Sequence, residues 1–164
     1  MTVEVCEGPE VWGHTPGFLI RRLHQIHLAL FAEECTGFDV TAVQFNVLQV
    51  IGERPGSDQS SIAEEVGVDR ATLASVLSRL ERAGFIKRIV SRLDRRQRLI
   101  SLTARGRSIV EKMTEAVQRA HERTLAPLTP EDRASFLVLL SRLVEEGNGH
   151  GRAKLRLRLS AEGG

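Results

Sequence analysis

The stretch from Ser57 to Thr103 leaves this chain the fewest choices. It begins with a short apolar stripe, Ile62, Ala63 and Val66, in which Ala63 is small where two helices must cross closely. Gly67 follows at a turn that needs a positive φ, the conformation glycine adopts with least strain. Asp69 is placed to cap the next helix, its carboxylate accepting backbone N–H groups. In that helix Leu73, Val76, Leu77 and Leu80 recur at i, i+3, i+4 and i+7, the spacing of one buried face. At about 100° per residue, Ala71, Thr72, Ser75, Ser78, Arg79 and Arg82 fall on the other side. That side is small and hydroxylic first and basic last. A helix entering a major groove needs short side chains near base edges and arginines within reach of phosphates. Arg70, Ala71, Thr72, Ser75 and Arg79 are therefore the expected DNA contacts from this helix, and Gly84 ends it.

Two short segments follow, Phe85 to Val90 and Gln97 to Leu102, β-branched or alternating and read as strands. Between them lies the basic loop Ser91-Arg92-Leu93-Asp94-Arg95-Arg96. Two helices and then a hairpin with an arginine tip make a winged helix-turn-helix. The wing would lay arginine along the minor groove, where narrow tracts concentrate negative potential. Charge agrees with this reading. From Asp69 to Arg107 there are eleven Lys and Arg and three Asp and Glu, so the segment carries 11 − 3 = +8, while the whole chain is +2 and the remainder is −6. One concentrated basic module on a nearly neutral chain is a nucleic-acid footprint.

Long helices flank this centre. Met1 to Thr15 reads as an irregular arm, and Pro16 opens a helix over 17–36. Leu19, Leu23, Ile26 and Leu30 form its stripe, with Phe18, Ile20, Leu28 and Phe31 around it. A helix apolar over most of its circumference is buried on several sides, one of which a partner chain can supply. Thr41 and Gln44 form a capping box for a second helix through Ile51, ended by Arg54-Pro55-Gly56. After the wing, Thr103 caps a helix running to Leu125, with Ile109, Met113, Ala116, Val117 and Ala120 on its apolar face. Thr129 and Asp132 open the last helix, with Phe136, Leu137, Leu139, Leu140, Leu143 and Val144. The expected fold is mainly α with a small β-hairpin wing: one domain over 16–147, its DNA-binding module at 57–103 and dimerisation helices at 17–36 and 104–147. A dimer would present two recognition helices to a two-fold operator. Residues 148–164 read as a flexible basic tail that adds phosphate attraction.

The order of elements and the wing residues resemble the MarR family of bacterial transcription regulators, from Pro16 to Glu146. The Asp94-Arg95-Arg96 run followed by Leu102-Thr103 matches that family's wing signature. The resemblance implies a homodimer joined by its terminal helices, with Arg96 at the minor groove beside Arg92 and Arg95 and with Asp94 holding the wing arginine. Pro16 to His27, followed by Thr41-Ala42-Val43-Gln44-Phe45, resembles the branch that responds to aromatic acids or their CoA thioesters. It implies a ligand site using Arg21 and His27, with Trp12 and His14 near its mouth. The protein expected is thus a repressor of an aromatic-compound catabolic operon, released by its effector. Six residues at about 100° turn Arg21 and His27 about 120° apart, so two first helices in a dimer would serve one ligand better than one helix could.

Other classes fit less well. His24 and His27 at i, i+3 could share a zinc ion, but no closed ligand set accompanies them. Cys35 follows Glu33 and Glu34, which raise a thiol's pKa and disfavour a redox sensor. Cys6 also lies beside an acid, Glu7, and a reducing cytoplasm is the default for so few cysteines. There is no Gly-rich phosphate loop, nucleophile elbow or metal-protease pair, so an enzyme and a bound cofactor are not expected. The first thirteen residues contain acids and no Lys or Arg, unlike a signal peptide, and no apolar run approaches membrane-spanning length. A ligand-independent architectural DNA binder is the competing reading.

Overall fold

The computed structural model describes residues 12–90, 98–151, 153 and 155. Six helices and one hairpin follow in the order α1 (Pro16–Glu34), α2 (Ala42–Glu53), α3 (Gln59–Val66), α4 (Arg70–Arg82), β1 (Ile86–Val90), β2 (Arg98–Leu102), α5 (Ala104–Leu125) and α6 (Pro130–Gly147). A 3-10 turn, Trp12–His14, leads into α1. The winged helix-turn-helix expected from the sequence is the fold observed.

Local chemistry sets the element boundaries. Pro16 occupies the first turn of α1, where its missing N–H costs nothing. α1 stops two residues short of Thr36, whose hydroxyl donates to the Ala32 and Glu33 carbonyls at 3.0 and 2.8 Å. Thr41 and Gln44 close both hydrogen bonds of the capping box. Asp58 caps α3 by accepting from the Ser61 N–H at 3.0 Å. Gly67 and Gly84 take φ of +71° and +74°, ending α3 and turning the chain after α4. β1 and β2 pair antiparallel from Ile86↔Leu102 to Val90↔Arg98, and Ser57 adds an isolated bridge to Ile100.

The core runs through both parts of the molecule. Phe45, Leu48 and Ile51 of α2 meet Ile62, Leu73, Leu77, Leu80 and Ile100, all fully buried, and bind the two short helices to the wing. Each such side chain contributes about 1.5–3 kcal/mol of burial. α1 packs chiefly along α5, where Phe31 and Cys35 join Met113, Ala116, Val117 and Ala120. Across that seam Arg119 and Arg123 pair with Glu34, and Arg123 also with Glu33, at 2.8–2.9 Å. α6 differs from the other five helices: none of its residues is buried, and Val138 and Leu143 are 68% and 67% exposed. Leu19, Ile20, Ile26 and Leu28 of α1 are exposed as well.

Candidate nucleic-acid interface and effector groove

The recognition helix shows two opposed faces. Leu73, Val76, Leu77 and Leu80 are buried, while Arg70, Ala71, Thr72, Ser75, Ser78, Arg79 and Arg82 are exposed. Asp69 anchors the N-terminal end. Its carboxylate accepts the Thr72 N–H at 2.9 Å and the Thr72 hydroxyl at 2.6 Å. Those bonds, first the side-chain one and then the backbone one, hold the Asp69 carboxyl below its ordinary range. Because the Thr72 hydroxyl donates its proton to Asp69, it faces outward as an acceptor, suited to an exocyclic amino group on a base. At the other end Glu81 pairs with Arg88 of β1 at 3.1 Å, tying α4 to the wing. The root of the wing is tight. Thr103 donates its hydroxyl to the Gly84 carbonyl at 2.6 Å and accepts the Gly106 N–H at 3.0 Å. The expected wing contacts Arg92, Asp94, Arg95 and Arg96 lie outside the described residues.

A second feature is an apolar groove of about 1160 Å³ between α1, α5 and α6. Leu23, Ile26, Phe136 and Leu140 line it, with Arg22, His24, His27, His121 and Thr124 among its polar members. His27 Nδ1 stands 2.9 Å from the Thr124 hydroxyl, and its ring stacks on His121 at 5.4 Å between centroids. Thr124 has one proton, which goes to the Ala120 carbonyl at 2.7 Å. The network therefore assigns the proton between Thr124 and His27 to Nδ1, leaving Nε2 as a lone-pair acceptor. Burial, and after it the neighbouring His121 and His24, push the His27 pKa down, which favours this neutral ring.

Arg21 is not part of this groove. It faces the other side of α1, where its guanidinium lies 5.3 Å from the centre of the Phe18 ring. The structure thus places Arg21 and His27 on different sides of one helix. His14 is exposed in the 3-10 turn before α1, which also contains Trp12. Arg22, His121 and Thr124 were not singled out as ligand groups from the sequence. Arg22 had a usable signal, since it stands three residues after Leu19 and four before Ile26, on the edge of the apolar stripe. Nothing local marks His121 and Thr124, which are brought to His27 from a helix far along the chain.

Cys35 is buried, and desolvation followed by the charge of Glu34 pushes its thiol up, as expected of a structural cysteine. Cys6 lies outside the described residues. Among the described residues no three His, Cys, Asp or Glu side chains gather as a metal site, and no helix is long and apolar enough to cross a membrane.

An exposed recognition helix beside a two-stranded wing, carried between long helices, defines a winged helix-turn-helix DNA-binding protein. The MarR family model matches residues 40–97, from just before α2 to the residue before β2. The transcriptional regulator HosA of Escherichia coli is 30% identical over 125 residues, 76% of this chain and 91% of that one. PcaV of Streptomyces coelicolor, solved with its natural ligand, is 33% identical with a TM-score of 0.77, covering 84% of this chain and 97% of that one. BpsR of Bordetella bronchiseptica, whose structure addresses regulation of its DNA binding by 6-hydroxynicotinic acid, is 28% identical with a TM-score of 0.80, covering 84% and 99%. The chain belongs to the MarR family of transcriptional regulators.

Proposed function

We propose that this regulator is a homodimeric repressor of an aromatic-compound catabolic operon, released from its operator by a small aromatic carboxylate or its CoA thioester. The observation that carries the DNA-binding half is the exposed face of α4, with the Thr72 hydroxyl held by Asp69 as an outward acceptor. Arg70 and Arg79 lie on the exposed side for phosphates, and the wing residues Arg92, Arg95 and Arg96 take the minor groove, with Asp94 steadying them. The apolar faces left open on α1 and α6 support the dimer, since a second copy laying the same helices against them removes that surface from water.

The effector site is built from Arg21 and His27. Arg21 supplies the planar fork that grips a carboxylate with two hydrogen bonds. His27 supplies Nε2, an acceptor for a ring hydroxyl. Because the two face different sides of α1, one ligand meets Arg21 of one subunit and His27 of the other, with Trp12 and His14 at the entrance. The 6-hydroxynicotinic acid named for BpsR supports the aromatic-acid class by similarity.

A mixed dimer tests this. One subunit carries Arg21→Ala and the other His27→Ala, and calorimetry with protocatechuate and 6-hydroxynicotinate counts sites. A shared site leaves one pocket intact, so about one good site per dimer is expected. Two equally weakened sites place both residues within one subunit. Binding to random and genomic duplexes alike, unaffected by any aromatic acid, instead supports an architectural protein.

A further inference from the structure

Thr72 differs from the other threonines that lie within helices. Thr114 and Thr124 return their hydroxyl protons to the carbonyls of Val110 and Ala120, one turn back, at 2.8 and 2.7 Å. That is the ordinary habit of a helical threonine. The Thr72 proton goes instead to Asp69 Oδ2 at 2.6 Å, the length of a charge-assisted bond from a hydroxyl to a carboxylate. Asp69 Oδ1 takes the Thr72 N–H at 2.9 Å. Both carboxylate oxygens are thus committed to one residue, and neither side chain can turn without breaking a bond. The direction of the short bond is fixed as well. An ionised carboxylate has no proton to give, and these same bonds, the side-chain one first, keep Asp69 ionised by lowering its pKa.

The major-groove edges of the bases place two opposite kinds of group at equivalent positions. Adenine N6 and guanine O6 occupy the same place on a purine, as cytosine N4 and thymine O4 do on a pyrimidine; the amino groups donate and the oxygens accept. A hydroxyl free to rotate accommodates either. We propose that Asp69 is a positioning residue that determines base specificity: by taking the Thr72 proton it makes Thr72 read the amino group of an adenine or cytosine and reject the guanine or thymine that would stand in the same place. Opposite guanine O6 or thymine O4, the Thr72 lone pairs would face another acceptor with no proton between them. Asp69 acts here through Thr72, without contact of its own to a base. Asp69→Asn keeps the cap, since the two residues are equally good at that position, but it reverses the bond. The new amide donates to Thr72 Oγ1, and the threonine proton is released to point outward. The proposal rests on the DNA-binding reading and deepens it, from the face that meets the bases to the base that one residue selects.

The test is selection of binding sites from a pool of randomised duplexes by full-length wild type, Thr72→Val and Asp69→Asn, followed by sequencing. The position that Thr72 reads is the one whose preference disappears in Thr72→Val. Wild type is expected to enrich adenine or cytosine there, and Asp69→Asn to exchange adenine for guanine or cytosine for thymine. Loss of the Asp69 charge raises affinity for all duplexes alike, so the identity of the base, not overall affinity, separates this role from that of a structural cap. Fluorescence anisotropy on the selected wild-type site then gives the size of the effect. Replacing the base by its analogue without the amino group, purine for adenine or 2-pyrimidinone for cytosine, is expected to weaken wild-type binding about ten-fold and Asp69→Asn binding much less. Thermal melting checks the fold of each variant, and Thr72→Ala replaces Thr72→Val if valine destabilises the helix. Guanine or thymine at the Thr72 position in wild type, or the same base kept by Asp69→Asn, overturns the proposal. So does a selected site with no position sensitive to loss of the Thr72 hydroxyl, because Thr72 would then contact no base. A wild-type chain that binds duplexes but enriches no sequence would reject the operator reading itself, and the proposal with it.

Discussion

Gly106→Ala sets two known effects against each other, and the structure decides between them. Gly106 is buried in the first turn of α5. Alanine there gains about 0.5–1 kcal/mol of helix preference. Its Cβ, however, would overlap the Phe85 carbonyl oxygen and stand 3.3 Å from Phe85 Cα. Phe85 cannot withdraw freely, because its carbonyl accepts the Thr103 N–H at 2.9 Å and the Thr103 hydroxyl at 3.2 Å. Overpacking of this kind costs about 1–3 kcal/mol, and each bond loosened at Phe85 costs about 1 kcal/mol more. The net expectation is a loss of about 2 kcal/mol, or about 4–8 °C in thermal midpoint for a chain of this length. Circular dichroism melts at one fixed protein concentration measure it, since a dimer's midpoint depends on concentration. Gly52→Ala is the control. There the added Cβ meets only the tip of the Leu102 side chain, 3.1 Å away, which can rotate aside, so a change within about 2 °C is expected. A Gly106→Ala protein that melts at or above wild type, or a Gly52→Ala protein that melts lower still, would refute the steric reasoning.

Other expectations concern DNA, assembly and pH. Arg96→Ala is expected to weaken operator binding severely while leaving the protein folded, and wild-type affinity by anisotropy at fixed salt would contradict the wing reading. Thr72→Ala removes the acceptor aimed outward from α4, so discrimination between operator and random duplexes should fall more than affinity for random DNA does. Truncation after Pro127 removes Phe136, Leu139, Leu140 and Leu143 and should yield an aggregating or unfolded chain; a soluble, stable monomer by light scattering would count against the dimer core. His27 is held neutral in the fold, with its pKa below the ordinary 6.5. The unfolded chain therefore takes up this proton first as pH falls, so the contribution is complete above pH 6.5 and is lost on acidification toward the folded pKa. His27→Gln should melt with a shallower dependence on pH than wild type between about pH 7.5 and 5.5, and an identical profile would remove His27 from the account.

Features that depend on short-range chemistry were legible in the sequence. The Thr41–Gln44 box, the Asp69 cap, the Thr103 and Thr129 caps and the stripe through Leu73, Val76, Leu77 and Leu80 each rest on residues within seven positions of one another, and all are found. Helix phase also separates Arg21 from His27 correctly. What phase does not reveal is which direction around α1 each neighbouring helix occupies. Arg21 was singled out by the family resemblance, whereas it is Arg22 that lines the groove. The Glu34 pairs with Arg119 and Arg123, the His27–Thr124 bond and the seat of Leu155 on Gly67 join residues 85 or more positions apart. No periodicity encodes them; they exist only once α5 and α6 have folded back along the chain.

α5 connects the two functional regions in a way that gives the proposed effector a mechanical route to DNA. Its N-cap Thr103 and first-turn Gly106 pack against Gly84 and Phe85 at the root of the wing. Its last turns carry His121 and Thr124, in contact with His27. Twenty-two residues make a rod of about 33 Å. A tilt of about 5° at the groove end displaces the other end by about 3 Å, more than half the rise of a helical turn. A recognition helix or wing moved that far loses hydrogen-bond register with base edges, which tolerate a few tenths of an ångström. Under the shared-site proposal, a ring wedged beside His27 needs only to favour one tilt of α5 over another to lower operator affinity, by as much as its affinities for the two arrangements differ. The tightness at Gly106 is what makes such a tilt reach the wing: a loosely packed joint there would absorb the motion, whereas backbone held against backbone passes it on.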